Sequence, residues 1–145
     1  MASTIKWATP GTFTDLLTTE LNALANAAGA VLSPAFDNRA NLFLFGDFVL
    51  NSGFSPNPTA GNTVDLYLIP ATDGTNYTDG GAATRPASAY RGSWVMRSAS
   101  PLVLALQGIS LPPCPFKITV LNNSGAAMGA TGNKVSISPY NYQSV

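Results

Sequence analysis

At 145 residues the chain can bury one sizeable core without disulfides or a metal, and only 10% of it is charged, against roughly a quarter in ordinary soluble proteins. Seven basic and seven acidic residues are scattered and cancel, so there is no basic stripe to neutralise nucleic-acid phosphates. Histidine is absent and cysteine occurs once, which excludes His-dependent hydrolytic triads and Cys/His zinc sites.

The segment from Met1 to Trp7 has no apolar run of the kind a signal peptide needs, so synthesis in the cytoplasm is the expectation. No later stretch is long and apolar enough to span a bilayer as a helix. Thr4 to Ala8 read as a short extended piece, stopped by Thr9, Pro10 and Gly11. Leu17, Leu21, Leu24 and Ala28 then recur at helical spacing, with Thr14 placed as N-cap, Asp15 in the first turn and Gly29 past the end. This spacing predicts a short helix, either packed on the domain or reserved for a neighbouring subunit. Residues 1–34 are therefore read as an N-terminal arm, and residues 35–145 as a β-sandwich domain.

From Leu42 to Leu50 both alternating faces are apolar except at Asp47, which predicts a strand buried on both sides. Residues 51–62 read as a loop, and Thr63 to Ile69 as a half-exposed strand with Val64, Leu66 and Leu68 inward. Residues 71–88 have no periodicity and exceed the length of a passive connection. Further strands are expected at 89–97, 102–107, 116–121 and 134–140, with Phe116, Ile118, Val120, Val135 and Ile137 in the core and residues 125–132 as a hairpin loop. Polarity comes mainly from Thr, Ser and Asn, at 14, 13 and 12 copies, which favour turns and strand surfaces over helix interiors. Together these features predict a mainly β protein, an antiparallel, jelly-roll-like β-sandwich with a short N-terminal helical arm.

Chemistry-bearing constellations are scarce. Cys114, between Pro113 and Pro115, has no neighbouring base and reads as an inert thiol. Glu20, Asp47 and Asp65 fall on regular elements, and Asp15, Asp37, Asp73 and Asp79 at caps or turns, so no carboxylate pair stands out as an acid and base. The oxygens of residues 73–79 cluster as in a calcium loop, but they lack the EF-hand spacing and fit Asx-turns as well. No catalytic residue, cofactor or metal site is assigned. The sequons at Asn76 and Asn122 need a secretory route. Aromatic residues and the leucine stripe remain as candidate interaction residues: Leu17, Leu21, Leu24, Phe43, Phe45, Tyr77, Tyr90 and Trp94. A weakly charged, neutral surface repels its copies little, which favours self-association or docking on a larger assembly.

Asp65 to Tyr77 (DLYLIPATDGTNY), Leu111 to Pro113 followed by Phe116 and Lys117, Val120 to Gly125 (VLNNSG), Gly132 to Lys134 and Ser138 to Tyr140 together resemble small virion structural proteins of tailed bacteriophages, the head-decoration or cement proteins. The resemblance spans residues 40–142, is weakest in the N-terminal arm, and rests on turn and strand motifs. It implies a non-enzymatic β-sandwich subunit made in the host cytoplasm and bound to the capsid exterior of the virion. The implied partners are the major capsid protein and copies of itself as a dimer or trimer, with no nucleic acid and no membrane. The competing expectation is a carbohydrate- or receptor-binding module of a tail fibre or baseplate, since sandwiches with aromatic loops serve that purpose too.

Overall fold

In the computed structural model, which describes residues 4–80 and 84–144, the period-two runs of the sequence become antiparallel strands. In chain order these are β1 (Ile5–Trp7), β2 (Thr14–Leu17), β3 (Ala28–Gly29), β4 (Phe45–Ser52), β5 (Phe54–Ser55), β6 (Thr63–Pro70), β7 (Tyr90–Val95), β8 (Leu102–Ser110), β9 (Phe116–Asn123), β10 (Ala127–Met128), β11 (Lys134–Tyr140) and β12 (Tyr142–Ser144). Among the described residues the only helical elements are single 3-10 turns at Thr19–Leu21 and Ala87–Ala89.

Two four-stranded antiparallel sheets carry the fold, ordered β2-β11-β4-β8 and β3-β9-β6-β7, with two-stranded ribbons β1-β12 and β5-β10 beside them. Period-two burial places Phe48, Leu50, Val135 and Ile137 of the first sheet and Val64, Leu66, Ile118 and Val120 of the second in one apolar cluster. Each such side chain contributes about 1.5–3 kcal/mol when fully buried. Trp94 on β7 is also inside this cluster, and its indole N–H donates to the Phe48 carbonyl at 3.3 Å, tying one sheet to the other. The expected core positions Phe116, Ile118, Val120, Val135 and Ile137 are all fully buried.

The expected helix over residues 14–28 is replaced by β2, a 3-10 turn and β3. Thr14, Asp15 and Leu17 pair with Ile137, Ser136 and Val135 of β11, and the Asp15 carboxylate accepts from the Ser136 hydroxyl and the Lys134 ammonium. Thr14 is thus a strand residue and caps nothing. Ala23 and Ala27 take φ of 56° and 61°, left-handed conformations that a right-handed helix cannot contain. The leucine spacing mimics a helical stripe, yet a strand and a tight turn bury Leu16, Leu17 and Leu21 in the same core. Residues before position 34 therefore supply one of the two outer strands of each large sheet, β2 and β3.

Two further expectations are corrected. The strand foreseen from Leu42 starts at Phe45, because the buried Asn38 amide bonds the Phe43 backbone on both sides and Leu42 takes φ 47°. It is buried on one face only: Gly46, Phe48, Leu50 and Ser52 point inward, while Phe45, Asp47, Val49 and Asn51 are half-exposed. Residues 125–132 do not close a hairpin, since β9 and β11 lie in different sheets. Within this crossing, β10 pairs with β5, the short strand that occupies part of the segment expected to be loop at 51–62.

Candidate functional site

The pairing Phe45↔Tyr140 and Phe45↔Ser110 places the start of β4 beside the ends of β11 and β8, at one end of the first sheet. From Tyr140 the chain passes through Asn141 into β12, which takes β1 as its antiparallel partner with Trp7 opposite Tyr142. Asn141 fixes this crossing: its carbonyl accepts from the Ala8 N–H at 2.8 Å, and its side-chain oxygen accepts from the Leu44 N–H at 2.7 Å.

The result is a group of four rings. The Trp7 ring lies 4.4 Å from Tyr142, 5.4 Å from Tyr140 and 6.0 Å from Phe45, and Phe45 and Tyr140 stack at 5.9 Å. Edge-to-face pairs of this kind hold one another in position, so the group is preorganised on sheet backbone rather than on a loop. Trp7 is nevertheless 58% exposed and Tyr142 46%, and Ile5, Leu42 and Leu44 are exposed in the same stretches of chain. Beneath the indole a cleft of about 220 Å³ is lined by Trp7, Ala8, Pro10, Asp47 and Tyr140. The Tyr140 hydroxyl donates to Asp47 at 3.0 Å, and the same carboxylate oxygen accepts from the Gly108 N–H at 2.9 Å. Burial, with the neighbouring carboxylate, raises the Tyr140 pKa, so the phenol stays a neutral donor.

The long loop after β6 lies against the second sheet. The Thr78 N–H bonds the Pro70 carbonyl, a Cβ on Gly80 would meet the Ile69 side chain at 2.5 Å, and the Lys117 ammonium sits 4.5 Å over the Tyr77 ring. Asp73 accepts from the N–H groups of Thr75 and Asn76 and from the Asn76 amide, which lowers its pKa and gives its oxygens the role of an Asx-turn. Asp37 is held at about 2 by the Arg39 guanidinium and backbone N–H. A second cleft, about 370 Å³, separates the loop from the sheet and is lined by Leu68, Pro70, Thr78, Asp79, Pro86, Ser88, Ala89 and Arg91.

The candidate interaction residues are therefore dispersed. Leu17, Leu21 and Trp94 are core residues with no surface to offer, and Leu24 and Phe43 pack half-buried against that core. Phe45 belongs to the four-ring group. Tyr77 and Tyr90 lie on the side of the second sheet, Tyr90 against Tyr67 at 5.8 Å and bonded through Ser93 to Asp65. Trp7 was not singled out by the sequence, because its ring partners are contributed from near the other end of the chain and the pairing of β1 with β12 carries no local signal.

Cys114 is buried, and burial raises its thiol pKa, away from the thiolate a nucleophile needs. Among the described residues no three Cys, Asp or Glu side chains cluster as metal ligands, and no helix is long and apolar enough to cross a membrane. What the four-ring end offers is apolar contact area with a rigid outline. No protein-family model matches the chain, and no curated protein matches it.

Proposed function

We propose that this chain is a non-enzymatic virion structural protein, a decoration or cement protein that stabilises a phage head through protein–protein contacts, and that it docks by its four-ring end. The single observation that carries this reading is the exposure of Trp7 and Tyr142 in an otherwise fixed aromatic group flanked by exposed Ile5, Leu42 and Leu44. Contiguous apolar surface of this kind, with aromatic anchors, is characteristic of contact surfaces. The fold reading is finer than two antiparallel sheets. Counting the eight strands of the large sheets in chain order, the orders are 1-8-3-6 and 2-7-4-5, which is the order two successive Greek keys of a jelly roll generate.

The major capsid protein is the proposed partner, and the capsid surface the proposed location. Co-sedimentation of the purified chain with undecorated phage heads tests this. The parent protein should bind, and Trp7→Ser and Tyr142→Ser should keep their melting temperatures but lose at least about tenfold in affinity, as contact-surface aromatics do. Unchanged binding by both variants would refute docking through this end.

One observation favours the second reading, a carbohydrate- or receptor-binding module of a tail fibre or baseplate. The cleft under Trp7 joins an aromatic wall to the Asp47 carboxylate, and sugars are held by that combination of apolar face and hydrogen-bond acceptor. Binding of parent but not Trp7→Ser protein to a glycan array, with no binding to heads, would establish that reading instead.

A further inference from the structure

The outer edges of the two large sheets are unequal. On one side of the sandwich they are β2 and β3, of four and two residues. On the other side they are β7, six residues that include Arg91 and a Gly92 with φ 150°, and β8, nine residues with neither a charge nor a proline. Among the described residues β8 pairs with β4 alone. Edges of that length are ordinarily blunted by charge, proline or a covering segment, because their free N–H and C=O groups template a further strand.

A second observation lies in the side chains. Leu104, Leu106 and Ile109 pack against the core cluster yet are only half-buried, whereas Phe48 and Leu50 on the neighbouring strand are fully buried. The hydrogen-bond ladder therefore stops at β8, and of the inward leucine stripe Leu102 is buried while Leu104 and Leu106 stay half-exposed, Leu106 beside Gly92 of β7. On the outer face Val103 is 62% exposed, and Ala105 and Gln107 are exposed too.

We propose that β8 is an assembly edge and that its occupant is β8 of a second copy, paired antiparallel about a twofold axis at Ala105. The unpaired backbone calls for a strand, and the self-pairing is chemically consistent. It sets Leu104 opposite Leu106, continuing the inward stripe across the axis, and Val103 opposite Gln107 on the outer face. Ala105, small and exposed, meets itself. No charge confronts a like charge, and a chain of zero net charge adds no long-range repulsion. The regular stretch ends where β4 bulges between Gly46 and Phe48. There Gly108, at φ 69°, donates its N–H to Asp47, so pairing about Ala105 uses the undistorted part of the strand.

This inference rests on the reading of the chain as an assembling structural protein, but it uses a surface apart from Trp7, so the two can fail separately. The test is sedimentation velocity of the full chain over a concentration series, with hydrogen exchange read on β8. The parent should form a dimer whose amides across residues 103–107 exchange more slowly as concentration rises. Ala105→Lys sets two ammonium groups against each other across the axis and should weaken the dimer about 100-fold or more. Val103→Lys, also on the exposed face, should weaken it in the same direction, and Trp7→Ser should dimerise as the parent does. A parent that stays monomeric throughout overturns the proposal. So does a dimer unaffected by both lysines, or one lost in Trp7→Ser while Ala105→Lys retains it.

Discussion

Replacing Asn122 tests whether the loops of this protein are held by buried amides. The side chain, fully buried near the end of β9, donates to the carbonyls of Leu24 and Ala126 at 2.9 Å and of Ala25 at 3.2 Å, and accepts from the Ser124 N–H at 3.1 Å. It thus joins the segment leading into β3 to the segment leading into β10. In Asn122→Ala the buried Ser124 N–H is left unmet, whereas the three carbonyls each lose one bond but keep another donor: the Ser124 hydroxyl on Ala126, the Met128 N–H on Leu24 and the Ala28 N–H on Ala25. At about 1–3 kcal/mol for the buried N–H left unmet and about 0.5–1.5 kcal/mol for each of the other bonds lost, the expected loss is about 3–5 kcal/mol in urea denaturation. Asn122→Asp has nearly the same shape but turns a carboxylate oxygen toward three carbonyl oxygens. That environment raises its folded pKa above the unfolded value of about 3.9. A raised folded pKa means the variant's deficit is smallest below the unfolded pKa and grows as pH rises through the folded one. Relative to the parent at each pH, Asn122→Asp should therefore be closer to parental stability near pH 4 than at pH 7. A loss under about 1 kcal/mol in the alanine variant, or a pH-independent deficit in the aspartate variant, would refute the argument.

Two further predictions concern the N-terminal segment and a surface ion pair. Deleting residues 2–21 removes Leu16, Leu17 and Leu21 from the core and should abolish the cooperative melt, since three such losses at about 2–5 kcal/mol each match a small domain's whole stability; deleting only residues 2–8 should leave the melt in place while removing Trp7, and a folded product of the longer deletion would restore the idea of a separable arm. In an NMR titration the Asp37 carboxyl should report a midpoint near 2, rising toward the ordinary carboxylate range in Arg39→Gln, which removes the guanidinium but keeps the backbone N–H; because its folded pKa is depressed, its favourable contribution is present above the unfolded pKa and is lost as pH falls through about 2, and an unshifted midpoint in the parent would refute the pairing.

Period-two alternation was legible wherever one face is apolar core and the other carries polar side chains, whether half-exposed as on β6 or covered as at Ser136 and Ser138 of β11: β6, β9 and β11 occupy nearly the segments the sequence marked, and their inward residues are the expected ones. Residues 14–28 were misread because leucines at positions 17, 21 and 24 satisfy a helical period by coincidence. Tertiary pairing with β11 outweighed that local preference, and nothing local announces the left-handed Ala23 and Ala27. The aromatic end was illegible for a different reason. Its four rings come from four strands, β1, β4, β11 and β12, that span almost the whole chain, so their meeting depends on the closure of β1 on β12. Asparagine content was read correctly as turn chemistry, but not as internal stapling. Asn38, Asn122 and Asn133 are all buried, and each ties backbone segments distant from one another.

Those amides also explain how so weakly charged a chain can keep its loops ordered. Asn133 accepts from the Ser52 hydroxyl and the Gly53 N–H and donates to Asn22 and to the Gly129 carbonyl, so one neutral side chain bonds four groups in three segments. An ion pair in the same place would carry a desolvation penalty of several kcal/mol per charge, whereas an amide meets the same backbone groups without it. Loop order obtained this way needs no charge, and the exposed β8 strand carries none, while the Asp47 carboxylate in the cleft under Trp7 is engaged by the Tyr140 hydroxyl and the Gly108 N–H. Neither the β8 edge nor the four-ring end is needed to form the core, because Phe48, Leu50, Val135 and Ile137 of the first sheet are already buried in one cluster with the inward residues of the second. The exposed Trp7 and Tyr142 stand outside that core and touch mainly one another, Tyr140 and Phe45, which is why the docking proposal is placed on them and not on any core residue.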